Sequence, residues 1–334
     1  MPSVPGGAQR RDERPFAVSA PFEEPAFDPA LLTASGLEQV RANVRGEAPP
    51  APISTLLGMR PIAADEGSAT FALPASGWLD GAEGGPQPGV LAPLADAAHA
   101  AAVVTTLGPG NALATISLTL SYVAPVVPRG DRFLCRARVD RGGAGMPVRT
   151  TAEVTAADGT VIAYSTARNV VSPIPGLDLD GPPGDRTGRR PPSGDVATPA
   201  PGPFDGADGD GATPPAIGRL TGLRAVEVGG GAARFELPAT PWVSSLLRQV
   251  QGGALLMLAE AALDGAVGTA LEPGAARGTL EVQVDFMRKV PAGEELLHAD
   301  ASLVQRGRSV AFGSCTVASD RRELVATARS VHRV

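Results

Sequence analysis

The sequence predicts an α+β protein built from two tandem copies of one domain. Three observations carry this. The stretch Gly89-Val-Leu-Ala-Pro-Leu-Ala-Asp96 returns as Gly253-Ala-Leu-Leu-Met-Leu-Ala-Glu260, an offset of 164 residues (89 to 253, and 96 to 260). The same offset relates Gly58, Arg60, Phe71, Leu73, Pro74, Trp78 and Gln87 to Gly222, Arg224, Phe235, Leu237, Pro238, Trp242 and Gln251. Downstream, Thr115 recurs as Thr279 and Tyr122 as Phe286, and after a one-residue insertion in the first copy Gly130 answers to Gly293. Finally, Ile116, Leu118, Leu120 and Tyr122 alternate with Ser117, Thr119 and Ser121, and Leu280, Val282, Val284 and Phe286 alternate with Glu281, Gln283 and Asp285. That is the period of a half-buried strand. Two units of roughly 115 to 120 residues are a duplicated domain, not a solenoid, which needs shorter and more numerous repeats.

The elements follow in order. Residues 1–27 are Pro, Gly and charge, and read as a disordered tail. Asp28-Pro29 starts a helix, with Asp as N-cap, Pro at the first position and Leu31, Leu32, Leu37 and Val40 as its apolar face. Pro49, Pro50 and Pro52 end it. Residues 28–171 form the first domain, whose repeat begins near Ile53. Within it, residues 56–62 and 67–73 read as short strands around an Asp65-Glu66-Gly67 turn, and residues 89–107 as one apolar helix. The strand at 116–122 and two or three more strands follow, with Asp158-Gly159 as a hairpin turn. Residues 172–214, dominated by Pro, Gly and Asp, are a flexible linker, and residues 215–334 repeat the domain. A helix that is apolar all round needs cover on every side. A curved antiparallel sheet wrapped about it supplies that cover.

Bulk properties narrow the function. The 334 residues carry a net charge of −6 and a pI near 5.2. Lys289 is the single lysine and arginine forms no cluster, so no nucleic-acid partner is expected. Cys135 and Cys315 do not occupy matched positions and predict neither a disulfide nor a zinc site. No apolar stretch reads as a signal peptide or a membrane span, so the expectation is a soluble cytoplasmic protein with no membrane partner.

The informative residues are Asp96 and Glu260. A carboxylate in a helix of Ala, Leu and Val is costly to bury unless it is paired or used, and the same choice is made twice. Around it, the order of elements resembles the hotdog fold. The segment from Gln87 to Asp96, then Thr115 to Val126 and the Gly130 turn, resembles the acyl-CoA thioesterases of the phenylacetate-degradation (PaaI-like) group. Their motif is His-Gly-Gly, an apolar helix with Asp seven residues after the second glycine, and a strand ending Tyr/Phe-x-x-Pro-Val. The resemblance covers roughly residues 53–171 and 216–334. The chain departs from it at Gln87 and Gln251, which replace the His, at Pro88, which replaces a glycine, and at Glu260, which replaces an Asp. The upstream Asn of the family has no match, since Asp80-Gly81 and Ser244-Ser245 lie there.

The resemblance implies two tandem hotdog domains forming a pseudo-dimer within one chain, with composite sites between the copies. Gln87 and Gly89 would work with Glu260 and Thr279, and Gln251 and Gly253 with Asp96 and Thr115. For thioester hydrolysis, Asp96 and Glu260 are the candidate bases or nucleophiles, with pKa values raised by burial. The backbone N–H groups of Gly89 and Gly253 are the candidate oxyanion donors. Thr115 and Thr279 would hold the water, and Gln87 and Gln251 would contact substrate. Coenzyme A would lie in a cleft between the copies as part of the substrate, with no metal or other cofactor, and pseudo-dimers could pair further into a homodimer. A non-catalytic acyl-CoA or acyl-ligand binding protein is the alternative. An enoyl-CoA hydratase is disfavoured, because Asp96 and His99 lie in an apolar helix at the wrong spacing.

Plainer readings stand beside these. The threonines serve equally as β-formers, and the glycines as helix starters. Glu260 with Asp264 would mark an exposed helical face. His99 reads as a surface or packing histidine, and Trp78 and Trp242 as packing where the chain enters each helix.

Overall fold

A computed structural model describes residues 33–143, 146–174, 214–272, 277–293 and 295–334. The expected tail, the Asp28 cap with Leu31 and Leu32, and most of the expected linker lie outside these residues. Each copy contributes a short helix, a β-hairpin, a long apolar helix and four more strands. In the first copy these are α2 (Pro52–Leu57), β1 (Arg60–Asp65), β2 (Ser68–Pro74), α3 (Leu91–Val104), β3 (Asn111–Tyr122), β4 (Arg132–Gly143), β5 (Met146–Ala156) and β6 (Val161–Pro173). In the second they are α4 (Ala216–Thr221), β7 (Arg224–Gly229), β8 (Ala232–Pro238), α5 (Gly252–Gly268), β9 (Gly278–Phe286), β10 (Leu296–Arg306), β11 (Val310–Ser319) and β12 (Leu324–Arg333). One further helix, α1 (Gly36–Val44), precedes the first copy.

Three boundaries differ from those read in the sequence. Helix α1 starts at Gly36, not at Asp28, because Ser35 caps it and accepts a hydrogen bond from the Glu38 N–H. Leu56 and Leu57, expected in a strand, end α2, where Pro52 occupies the first helical position and Gly58 takes the left-handed conformation that closes the turn. The apolar helix is shorter than 89–107, since Pro88–Val90 form a single 3-10 turn ahead of α3.

All twelve strands form one antiparallel sheet in the order β1-β2-β4-β5-β6-β3-β9-β12-β11-β10-β8-β7. The order reads as the same six-strand series forwards and then backwards. At its centre β3 pairs with β9, Ser117 opposite Asp285, Thr119 opposite Gln283 and Ser121 opposite Glu281. Gln283 is the repeat counterpart of Thr119, so the internal twofold passes between these two residues. The seam is therefore self-complementary, as an isologous dimer interface is. Helices α3 and α5 lie on one face of the sheet and pack against each other across the seam. Their burial on nearly every side explains their sequence, with Leu91, Leu94, Ala95, Ala98 and Ala102 of α3, and Leu256, Leu258, Ala259 and Leu263 of α5, all fully enclosed. Among the described residues no helix is long and apolar enough to cross a membrane.

One feature of β3 and β9 corrects the simple alternation. The pairing of β3 with β6 slips between Thr115 and Ser117, leaving Ile116 as an extra residue. The pairing of β9 with β12 slips at the matched place, leaving Leu280. A bulge of one residue reverses the facing of everything beyond it. Thr115 and Thr279 are thereby turned toward the helices, while Leu280, expected to face inward, is 37% exposed and Thr279 is 6% exposed.

Candidate active site

The site is built twice at the crossing of α3 and α5. After Gln87 and Gln251 the chain passes directly into each long helix, and the two helix starts are held alike. The Gln87 N–H donates to the Leu79 carbonyl and the Gln251 N–H to the Val243 carbonyl. The helix starts then cross each other at a distance that only glycine permits. A Cβ on Gly253 would lie 2.5 Å from the Ala92 carbonyl oxygen and from Pro93 Cα, and one on Gly89 would lie 3.1 Å from Met257 Cα. Both glycines are thus fixed by helix packing as well as by any chemistry. Gly253→Ala is expected to destabilise the protein by about 1–3 kcal/mol, toward the upper end because the obstacle is backbone. Gly89→Ala should cost less. Urea unfolding of the two variants checks this, and equal midpoints would contradict it.

The close approach brings each carboxylate to the other copy's helix start. The Gly253 N–H donates to Asp96 Oδ2 at 3.0 Å, and the Gly89 N–H to Glu260 Oε2 at 3.2 Å. The bulged threonines meet the remaining oxygens. Thr115 Oγ1 lies 3.0 Å from Asp96 Oδ1, and Thr279 Oγ1 lies 2.7 Å from Glu260 Oε1. Gln87 Nε2 adds a third donor to Glu260 at 3.3 Å. The crossed grouping expected from the duplication is therefore present in space, with one correction. Gln251 does not reach Asp96; its Nε2 donates to the Pro93 carbonyl at 3.2 Å, and its buried Oε1 has no partner. A second difference concerns the glycine N–H groups. Expected as donors to a substrate oxygen, they are engaged here by the carboxylates.

Burial dominates the electrostatics. Asp96 is 4% exposed and Glu260 is fully enclosed, so Glu260 does not mark an exposed helical face. Desolvation raises the Asp96 pKa, opposed by the Gly253 N–H, Thr115 and Gly252. Glu260 is pushed up to about 7, first by burial and then by the negative charge of Asp264 one helical turn on. Asp264 is itself held by Arg277, through Nε at 3.1 Å and Nη2 at 3.0 Å, and Arg277 also pairs with Glu83 of the first copy.

Several residues of the site were not singled out in the sequence. Asn169 is fully buried and its Oδ1 lies 3.1 Å from Thr115 Oγ1. It pairs with Thr115 across β3 and β6, as His332 pairs with Thr279 across β9 and β12. His332 is fully buried, with Nε2 2.9 Å from Ser330 Oγ and Nδ1 3.8 Å from Asp264 Oδ1. The hydroxyl of Tyr122 donates to the Pro88 carbonyl at 2.8 Å, a bond that Phe286 cannot make in the other copy. His99 is a packing histidine. It is fully buried against Ser165 at 2.9 Å, and burial lowers its pKa to about 3. Both cysteines are buried, which pushes their thiols up to about 12. Trp242 is buried and Trp78 half-buried against the core, with the Arg219 guanidinium 5.0 Å above the Trp78 ring.

A long helix in a curved antiparallel sheet, doubled about an internal twofold with carboxylates at the helix crossing, defines a double-hotdog protein. Comparison with solved structures agrees. A conserved hot dog fold protein of unknown function from Alicyclobacillus acidocaldarius superposes with a TM-score of 0.53 at 17% identity, over 84% of this chain and 97% of that one. The acyl-CoA thioesterase II TesB2 from Mycobacterium marinum gives 0.51 at 16% identity, over 84% and 97%. A phenylacetic acid degradation-related protein from Ralstonia eutropha JMP134 is 32% identical over 37% of this chain and 92% of its own, with a TM-score of 0.34. No curated protein matches the chain. Residues 88–163 match the family described as the thioesterase superfamily. The chain is a tandem hotdog protein of the thioesterase superfamily.

Proposed function

We propose that this protein hydrolyses acyl-coenzyme A thioesters at two composite half-sites, with Asp96 and Glu260 as general bases. The observation that carries the reading is the crossed grouping at each helix start. A carboxylate from one copy lies within hydrogen-bond reach of a helix-N-terminal amide of the other, beside a threonine hydroxyl. A base and an oxyanion donor must be neighbours for acyl transfer. The carboxylate takes a proton from water as the water oxygen bonds to the thioester carbon. The carbonyl electrons move onto oxygen, which takes over the glycine N–H. Collapse of that intermediate breaks the C–S bond, and the proton passes to the departing thiolate, leaving the free acid and coenzyme A. Burial that lifts the carboxylates toward neutral pH suits groups that must both take and return a proton. Coenzyme A enters as part of the substrate, and the mechanism invokes no separate cofactor.

The test is free-thiol release from a panel of acyl-coenzyme A esters spanning short, medium, long and aromatic acyl groups. Turnover of at least one ester above the uncatalysed rate is expected. A panel without thiol release sinks the reading. One observation favours a second reading, a non-catalytic acyl-ligand binder. Glu260 is fully enclosed, with three donors already on its two oxygens. Calorimetric binding of acyl-coenzyme A without thiol release would establish that alternative.

A further inference from the structure

We propose that the two half-sites are unequal, and that the one around Asp96 carries most of the turnover because two successive backbone amides, Gly252 and Gly253, converge there. The proposal rests on the hydrolase reading above. Gly252 is the first residue of α5, so its N–H is one of the donors that the helix itself leaves unused. It stands against Asp96, since a Cβ at this position would lie 3.2 Å from Asp96 Oδ2, and the amide helps to hold the carboxylate in its charged form. The next amide, Gly253, donates to the same oxygen at 3.0 Å. Two consecutive N–H groups at a helix start form a fixed cradle for a negative oxygen. When a thioester oxygen takes that place, both donors are already aimed.

The other half-site lacks this pair. The repeat partner of Gly252 is Pro88, which has no N–H. The missing donor is made up by a side chain, because Gln87 reaches Glu260 at 3.3 Å whereas Gln251 bonds the Pro93 carbonyl. A side-chain amide on rotatable bonds is less preorganised than a backbone amide. Loss of one oxyanion donor lowers turnover by about 10²–10³-fold in enzymes that use such a hole.

Asn169 supplies an independent observation. Thr115 Oγ1 lies within hydrogen-bond distance of both Asp96 Oδ1 and Asn169 Oδ1. The hydroxyl has one proton, and an ionised carboxylate is the stronger acceptor. The Asn169 amide therefore turns its NH2 toward Thr115, since the two ends of an amide are interchangeable in assignment. Either way one polar atom of this fully buried side chain is left without a protein partner beside the Asp96 half-site, ready for a water or a substrate atom. The matched residue, His332, has Ser330 against one ring nitrogen and Asp264 near the other.

The test uses the full chain and free-thiol release from acetyl-, hexanoyl- and phenylacetyl-coenzyme A. Gly252→Pro removes the N–H at a helix position where proline is well tolerated, as Pro88 already shows. Gly252→Ala adds a comparable Cβ but keeps the N–H. Gly252→Pro is expected to lower kcat about 100-fold, at least tenfold more than Gly252→Ala. In an Asp96→Asn background, Pro88→Gly is expected to raise the residual kcat at least tenfold by supplying the second amide to the Glu260 half-site. Equal losses in the two Gly252 variants overturn the proposal while leaving the hydrolase reading intact. Should Gly252→Pro fail to fold, the Pro88→Gly arm decides, and no gain there overturns it. A wild-type protein that releases no thiol overturns the hydrolase reading and this proposal together.

Discussion

Asp96→Asn combined with Glu260→Gln is expected to lower kcat for thioester hydrolysis by about 10²–10⁴-fold, the usual contribution of a positioned general base. Both replacements nearly preserve shape and remove only the ability to take a proton. Thr115 and Thr279 can still donate to the amide oxygens, so the threonine contacts need not be lost. The amide NH2 groups must then face outward from the donor pair, which weakens ground-state packing without emptying the site. A thermal melt run in parallel separates a folded inactive protein from an unfolded one. A folded double variant that turns over within tenfold of wild type would remove both carboxylates from the mechanism. The residual activity then belongs to the helix-start amides and to bound geometry, which act on the carbonyl whatever the base.

The duplication was legible because it is written in residue types. Gly89 and Gly253, Thr115 and Thr279, and the carboxylates Asp96 and Glu260 recur at one offset, and a twofold arrangement brings each member of one set to the other copy. The bulge was not legible. Ile116 and Leu280 fit the apolar face by periodicity, and only the loss of one pairing step turns Thr115 and Thr279 inward instead. No local composition marks that step, because both residues on either side of it are good β-formers. Asn169 and His332 escaped for a different reason. They occupy matched positions but differ in type, so a search for repeated residues passes over them. Gln251 was assigned by symmetry to Asp96 and bonds Pro93 instead, because the Gly252 amide already faces the carboxylate that Gln87 must serve in the other copy. The residues that break the repeat are those that make the half-sites differ.

The second large effect concerns stability and pH, through Glu260. Its folded pKa of about 7 lies above the ordinary 4.5. Below pH 4.5 both folded and unfolded chains hold this proton, and the stabilising contribution of the raised pKa is fully present. Between pH 4.5 and 7 the unfolded chain releases the proton while the folded chain retains it, so stability is lost as pH rises. Each unit of pKa difference corresponds to about 1.4 kcal/mol, which makes the whole loss about 3 kcal/mol. Asp96, also raised, acts in the same direction. The buried histidines His99 and His332 act in the opposite one, since their lowered pKa values cost stability as pH falls below 6.5. The informative quantity is therefore the difference between wild type and Glu260→Gln, in which both histidines are shared. Urea unfolding at pH 5, 6, 7 and 8 is expected to show wild type losing about 3 kcal/mol relative to the variant across that range. A difference that stays constant with pH would mean that Glu260 titrates near its ordinary value despite its enclosure. A difference that grows with pH ties instability to the ionised form, which is the form a general base must reach. The half-site would then hold its working charge at the expense of the fold, a cost that a purely structural glutamate would give no reason to retain.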